Sequence, residues 1–214
     1  MKTEIIRAIA AITTEYELKP FNPQRVEMWI DALQNFPHGS VMLSVKNHMR
    51  TNHFKPQLAD IIAGCAAQLD SAWIGADEAW AMIPKSESET AVLTSEMTEA
   101  MVACDPLIAQ GDLVAARMAF KDTYLRITTK AKIEGLKPAY FVSLGHCRTS
   151  RNSVLSKAVR EKKIDLDYAI SLNPEFSNEI KRMCGVEVLG ISDESRMNRE
   201  KISERIAGLR MMLK

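Results

Sequence analysis

The sequence predicts an all-α protein, with a small N-terminal helical bundle followed by a second helical region. Apolar residues recur at the three- and four-residue spacing of a helix face along most of the 214 residues. The one plausible strand-like run, YFVSLG at 140–145, is too short and solitary to build a sheet. No internal repeat indicates a solenoid. Short helices joined by turns are therefore the expected architecture.

Four helices are expected within residues 1–70. Asn22-Pro23 starts the second helix, because proline at the first helical position loses no hydrogen bond. Ser40 follows a turn and is expected to cap the third helix. Pro56 is expected to start the fourth, with Phe54 folding back onto it as a staple-like contact. The predicted apolar faces hold Ile5, Ile6, Ile9, Ala10, Ile12, Thr13, Val26, Trp29, Ile30, Leu33, Val41, Leu43, Val45, Met49, Leu58, Ile61, Ile62, Cys65, Ala66 and Leu69.

A stretch rich in proline, serine and charge separates the bundle from the remaining elements. This composition predicts a linker at residues 84–94, between a bundle at 1–83 and a basic helical region at 95–214. A long helix is expected over 112–134, ended by Gly135. Its predicted inner positions are Val114, Met118, Phe120, Leu125 and Ile127. Further helices are expected near 151–161, 165–171, 174–184 and 193–213.

Composition indicates a soluble globular protein, which we expect in the cytoplasm. Hydrophobic residues make up 46% and charged residues 26% of the chain, both ordinary values. No run approaches the roughly 18 consecutive apolar residues of a membrane span, so no membrane partner is expected. Glu4 and Arg7 interrupt the apolar N-terminus, which is typical of an amphipathic helix and not of a signal peptide. The four cysteines form no CxxC pair and are expected to be reduced thiols.

The net charge of +1 hides an uneven distribution along the chain. Residues 1–120 hold 9 Lys and Arg against 15 Asp and Glu, whereas residues 121–214 hold 19 against 12. An acidic front and a basic rear could meet different partners. Alternatively, the two halves face each other, or the split has no function.

The sequence contains no recognisable catalytic or cofactor-binding motif. The phosphate-binding GxxxxGK[ST] loop, GxGxxG, HExxH and CxxC are all missing. His48 and His53 would lie about 140° apart on a helix, so they could share a metal only if the helix ends between them. Ser143 and His146 lack a GxSxG elbow, and the paired acids fit helix N-termini better than general acid catalysis. We therefore expect no enzyme activity, no cofactor and no metal.

Basic residues concentrate in the segment CRTSRNSVLSKAVREKK, with only Glu161 opposing them. Cations and hydroxyls near a helix N-terminus can contact phosphates without reading sequence, which would suit single-stranded or non-specific DNA. The alternative is a solvated helix face. The candidate nucleic-acid-binding residues are Arg148, Arg151, Lys157, Arg160, Lys162 and Lys163.

The last predicted helix alternates charged residues with one apolar stripe. Such a stripe is suited to packing on a partner protein. The candidate partner-binding residues are Met197, Ile202, Ile206 and Leu209.

The N-terminal pattern resembles one known family. An apolar helix ending in Tyr16 is followed by KPFNPQRVEMWIDAL, a short turn and SVMLSVKNHMRTNHFKPQLADI. Over residues 1–70 this resembles the N-terminal domain of phage replicative-helicase loader/inhibitor proteins, a small helical bundle with matching features. The residues that match are Trp29, Leu33, Phe54, Pro56 and Ile61.

The resemblance implies a DNA-replication accessory protein of a phage or prophage. Such a protein would load a DnaB-type hexameric helicase without hydrolysing ATP, through contacts made by its C-terminal helices. Single-stranded DNA would be a further partner. The alternative from another class is a phage-encoded inhibitor or adaptor that binds a host protein and no nucleic acid.

Overall fold

A computed structural model describes residues 1–185, except for the side chains of Arg148, Thr149 and Phe176. Helices dominate these residues, and a small two-stranded sheet is the only sheet among them, so the all-α prediction is confirmed. The elements are α1 Lys2–Glu15, α2 Pro23–Leu33, α3 Ser40–Thr51, α4 Leu58–Ala67, α5 Ala76–Met82, β1 Ala91–Thr94, α6 Ser95–Ala109, α7 Leu113–Ile133, β2 Tyr140–Ser143, α8 Arg148–Arg160, α9 Leu166–Leu172 and α10 Ser177–Met183. Short 3₁₀ turns lie at Asp70–Ala72 and Pro174–Phe176.

The chain divides into two compact units. The first comprises residues 1–146, and the second begins at Cys147. The sequence instead predicts a linker at 84–94, but the structure places the buried strand β1 within that stretch. Among the described residues, no helix is long and apolar enough to cross a membrane.

The N-terminal bundle is built by α1 to α4 around one apolar core. Trp29 and Leu33 of α2 are almost fully buried, which confirms their predicted inward positions. Across the bundle, the predicted faces supply most of the core, and α7 adds Ala131. The buried members from α1 to α4 are Ile5, Ala8, Ile9, Ile12, Trp29, Leu33, Val41, Val45, Ile61 and Cys65.

The start of α4 differs from the prediction. The helix begins at Leu58, and the carboxylate of Asp60 accepts a 2.7 Å hydrogen bond from the Gln57 N–H. Pro56 is buried just ahead of this cap and is not the first helical residue. Phe54 is 80% exposed, so the predicted staple-like contact is wrong. The buried Pro56 takes the place next to the helix start, and the phenyl ring points to solvent.

The second half of the first unit packs α5, α6, α7 and the sheet around another core. β1 and β2 pair antiparallel, with Val92 opposite Val142, so the YFVSLG run does find a partner strand. Helix α7 has the predicted length, but its predicted inner face is wrong at three positions. Val114, Met118 and Leu125 are exposed, whereas smaller and aromatic residues face inward. Those inward residues are Ala116, Phe120, Tyr124, Thr128 and Ala131.

In the second unit, α8, α9 and α10 pack against one another. Leu155 and Ile180 are fully buried there. A chain of three polar side chains joins the buried Asn173 and Asn152 to the exposed Glu179. Asn173 Nδ2 donates to Asn152 Oδ1 at 2.6 Å, and Asn152 Nδ2 donates to Glu179 Oε2 at 3.0 Å. Hydrogen-bonded asparagines therefore fix the spacing of the three helices.

Candidate functional site

The basic residues predicted to bind nucleic acid lie on or next to α8, but they do not share one face. Lys157 and Arg160 are exposed, while Arg151 is half-buried. Arg151 and Arg160 are nine positions apart, which places them about 180° apart around the helix axis. The side chain of Arg148 lies outside the described residues. A cluster in the sequence thus becomes a set of cations distributed around a helix.

Glu161 engages part of this positive charge. Its carboxylate lies 2.9 Å from Lys163 Nζ and 3.8 Å from Lys157 Nζ. The hydrogen bond from Lys163 holds the pKa of Glu161 below its usual value. The end of α8 also constrains this region, because Lys162 has a φ of 57° and the Lys163 N–H donates to the Ala158 carbonyl. Of the predicted set, Lys157, Arg160 and Lys162 are the exposed cations of this helix end.

The predicted partner-binding residues Met197, Ile202, Ile206 and Leu209 lie outside the described residues. A different apolar stripe is visible on α7. Val114 is 77% exposed, Met118 55% and Leu125 52%, and their spacing places them on one side of the helix. This α7 stripe lies beside the buried face of the same helix.

A buried carboxylate organises the start of α3. Glu4 of α1 is only 8% exposed, and its carboxylate accepts hydrogen bonds from the N–H groups of Gly39 and Met42 at 3.0 Å and 3.3 Å. Gly39 has a φ of 89°, which a residue with a side chain would adopt only with strain. Glu4 therefore does the capping that the sequence assigns to Ser40, and its negative charge faces the positive end of the helix dipole.

A groove of about 510 Å³ lies beside this cap, between α1 and α3. Arg7 and Lys46 lie along its sides, and Met42 and Leu43 supply apolar surface. The N–H groups at the start of α3, which could otherwise bind an anion in the groove, already donate to the carboxylate of Glu4. We therefore regard the groove as part of the surface around α3 and not as a separate anion site.

The outer side of α3 continues into a loop that exposes an aromatic ring. Lys46, Asn47, Arg50, Phe54 and Lys55 are all exposed, and we refer to these five residues as the α3 surface. The opposite side of α3 packs Val41, Ser44 and Val45 into the bundle. Helical periodicity does not predict this surface, but the sequence carries one signal for it, since residues 32–59 contain no Asp or Glu.

The residues considered for catalysis or metal binding make other contacts. His48 Nε2 lies 3.0 Å from the Phe54 carbonyl oxygen, and His146 Nδ1 lies 3.1 Å from the Glu87 carbonyl oxygen. Burial raises the pKa of the Cys65 thiol to about 11, which makes it a poor nucleophile at neutral pH. Within residues 1–185, no group of three His, Cys, Asp or Glu side chains is arranged to hold a metal ion.

Comparison with known proteins gives one result, and it concerns the N-terminal bundle. A family model described as G39P, N-terminal domain, matches residues 1–62. The match spans α1 to α3 and the first half of α4, which is 62 of the 214 residues. The resemblance to phage helicase loader/inhibitor proteins is thus confirmed for this segment and no further. No curated protein and no solved structure matches the chain.

Proposed function

We propose that this chain is a phage-type DNA-replication accessory protein that binds a DnaB-type replicative helicase and loads it without hydrolysing ATP. The observation that carries the proposal is the match of residues 1–62 to the G39P N-terminal domain. Buried residues such as Ile9, Trp29 and Val45 lie within the matched segment, so the likeness falls on the part of the sequence that specifies the bundle.

The proposed role is non-enzymatic. The protein would hold the helicase ring and help place it on single-stranded DNA or at an origin complex. Its sequence carries no phosphate-binding loop, so the ATP turnover of the loading reaction would belong to the helicase. Recognition of a large partner by a helical protein ordinarily uses an apolar helix face.

Two apolar faces are candidates for the helicase contact. The sequence offers the stripe Met197, Ile202, Ile206 and Leu209. The structure adds the α7 stripe, whose Val114, Met118 and Leu125 lie in solvent. We place the main contact on the C-terminal stripe, in line with the C-terminal helicase engagement that the resemblance implies.

The test is a pull-down of the host's DnaB-type helicase by the full-length protein at low salt. We expect a stable complex with the wild-type chain. I202D/I206D should lose it, while M118D/L125D, matched in number and kind of substitution, should keep it. Recovery of no helicase by the wild-type protein would sink the proposal. Loss of binding in the α7 variant alone would move the contact to that stripe.

A second candidate is an inhibitor or adaptor that binds a host protein and no nucleic acid. It is favoured by the distribution of the α8 cations around the helix and by the pairing of Glu161 with Lys163. The two candidates differ in DNA binding. Steeply salt-dependent binding of single-stranded DNA supports the loader, whereas no binding at any salt concentration supports the adaptor.

A further inference from the structure

The α3 surface belongs to a cationic segment inside an acidic half of the chain. Residues 32–59 hold Lys46, Arg50 and Lys55, three of the four histidines, and no Asp or Glu. Residues 1–120 as a whole carry an excess of six acidic residues, from 9 basic against 15 acidic. Positive charge is therefore concentrated on one element of the N-terminal bundle, where it can attract an anionic partner.

The cations of this surface do not form the internal ion pairs seen elsewhere. Among the ion pairs within residues 1–185, none includes Lys46, Arg50 or Lys55. By contrast, Lys121 pairs with Asp77 at 2.9 Å and Lys132 with Asp70 at 2.7 Å. Among the described residues, the three cations of the α3 surface thus have no carboxylate within ion-pair distance, unlike Lys121 and Lys132 of α7.

The loop presents Phe54 in a defined backbone conformation. The Phe54 N–H donates to Asn52 Oδ1 at 3.0 Å, and the Phe54 carbonyl oxygen lies 3.0 Å from His48 Nε2. The Tyr16 hydroxyl donates to the Asn52 carbonyl at 3.5 Å, and Pro56 is buried. Both backbone polar groups of Phe54 are therefore engaged, while its ring is 80% exposed. Packing of the bundle gives no reason for this exposed ring.

The surroundings of the ring favour one kind of partner. His53 and Lys55 flank Phe54 in the chain, and both are exposed, so the immediate chain neighbours of the ring are polar and not apolar. A docking protein segment would require several adjoining apolar contacts. A lone aromatic face beside spaced cations is instead the arrangement on which nucleic-acid bases stack while their phosphates contact Lys and Arg.

We propose that the α3 surface binds single-stranded nucleic acid, with a base stacked on Phe54 and phosphates contacting Arg50 and Lys55. Lys46 extends the cationic path along α3. The proposal does not rest on helicase binding, because it concerns the purified chain alone. It also differs from the α8 cluster, since the exposed cations of α3 lie on one side of their helix.

The experiment measures fluorescence anisotropy of a labelled oligothymidylate titrated with full-length protein at several salt concentrations. F54A should weaken binding by about 5- to 150-fold, the range expected for loss of one stacked base. F54W should retain affinity, whereas F54L, which is apolar but has no ring, should lose it. R50A/K55A should weaken binding and reduce the salt slope by about 1.4, because each phosphate contact accounts for about 0.7.

The matched control is R126A/K137A, which removes the same charge from exposed positions outside the α3 surface. Thermal melting checks that F54A and F54L remain folded, as expected for a residue so exposed. Wild-type affinity in both F54A and F54L would overturn the proposal, as would equal weakening by the two charge variants. Polyglutamate could also bind with the same affinity as the oligonucleotide, and with an affinity that the F54 variants do not change. That result would overturn the proposal in favour of an acidic protein partner.

Discussion

The molecule has two basic helices, α3 and α8, and they use their charge differently. In α3, Lys46 and Arg50 lie on the exposed side, and no acidic residue occurs within the helix. In α8, Arg151 is half-buried, and Glu161 at the helix end pairs with Lys163. The segment with the higher density of basic residues in the sequence is thus the one with the less continuous basic surface.

The difference follows from how each helix is held. Helix α3 is fixed by buried contacts on its inner side and by Glu4 at its start. Its packing in the bundle therefore does not depend on the exposed side chains of Lys46 and Arg50. Helix α8 is held by the buried Leu155 and by Asn152, which bonds to both Asn173 and Glu179. Its charged residues share the helix surface with these structural contacts. The number of charged residues in a segment therefore predicts a charged surface only when the position of each residue around the helix axis is also known.

The largest expected effect comes from breaking the support of α3. Glu4→Ala removes the carboxylate that accepts from Gly39 and Met42 and leaves the start of α3 uncapped. We expect a loss of about 3 kcal/mol in the free energy of unfolding, since hydrogen bonds to a charged group contribute about 1.5–3 kcal/mol each. Urea denaturation measures it. Glu15→Ala, which removes an exposed acid of the same helix, should change stability by less than about 0.5 kcal/mol. Similar losses in both variants would contradict the capping role.

In the second unit, the substitution that removes the comparable support from α8 is Asn152→Ala. It removes the acceptor of a buried hydrogen bond from Asn173 and the donor of a half-buried hydrogen bond to the exposed Glu179. A loss of about 2 kcal/mol is expected, because the buried Asn173 amide is left without its acceptor and the contact between α8 and Glu179 of α10 is lost. Chemical denaturation followed by circular dichroism provides the measurement. The exposed Asn178→Ala serves as the control on α10. A value near zero for Asn152→Ala would mean that these hydrogen bonds do not hold α8.

A structural feature of this protein can be predicted from sequence when the residues that determine it are close together in the chain. Helix positions and the core residues Trp29 and Leu33 follow from periodicity, and the structure confirms them. The strand pairing of β1 with β2 was missed because its two runs are far apart in the chain, and AVLT stands within a polar, linker-like stretch.

The errors on α7 and Phe54 have a related cause. Periodicity identifies an apolar stripe but not its environment, and α7 has an exposed stripe beside a buried face of alanine and aromatic residues. Phe54 was expected to pack because phenylalanine near a helix start often does. Only tertiary contacts show that Pro56 is buried there and that the ring is free.

A smaller effect is expected where α3 approaches α4. A Cβ at Gly64 would overlap the Ser44 hydroxyl, which donates to the Ile61 carbonyl at 3.0 Å. Gly64→Ala should cost about 1–2 kcal/mol, since overpacking forces the Ser44 side chain to move. Thermal melts of Gly64→Ala, Ser44→Ala and the double variant test the coupling. The double variant should be less destabilised than the sum of the two singles. Strict additivity would show that the two positions do not interfere.

The smallest expected effect concerns the ion pair at the end of α8. The pKa of Glu161 is lowered in the folded protein, mainly by the hydrogen bond from Lys163, so the ionised carboxylate favours folding. That contribution is present above the unfolded-state pKa of about 4.3 and is lost as the pH falls through the folded-state value. Glu161→Gln should therefore cost less than about 1 kcal/mol at pH 7, because the pair is partly solvent-exposed.

Melting temperatures of wild type and Glu161→Gln between pH 7 and pH 3 provide the check, with the exposed Glu175→Gln as the control. The difference between wild type and Glu161→Gln should shrink toward zero in acid. A difference that grows as the pH falls would show that the carboxylate is not stabilised by Lys163. The same variant raises the positive charge of α8 by one. If it leaves oligothymidylate binding unchanged while R50A/K55A reduces the salt slope by about 1.4, the nucleic-acid surface lies on α3 and the charge of α8 serves its own fold.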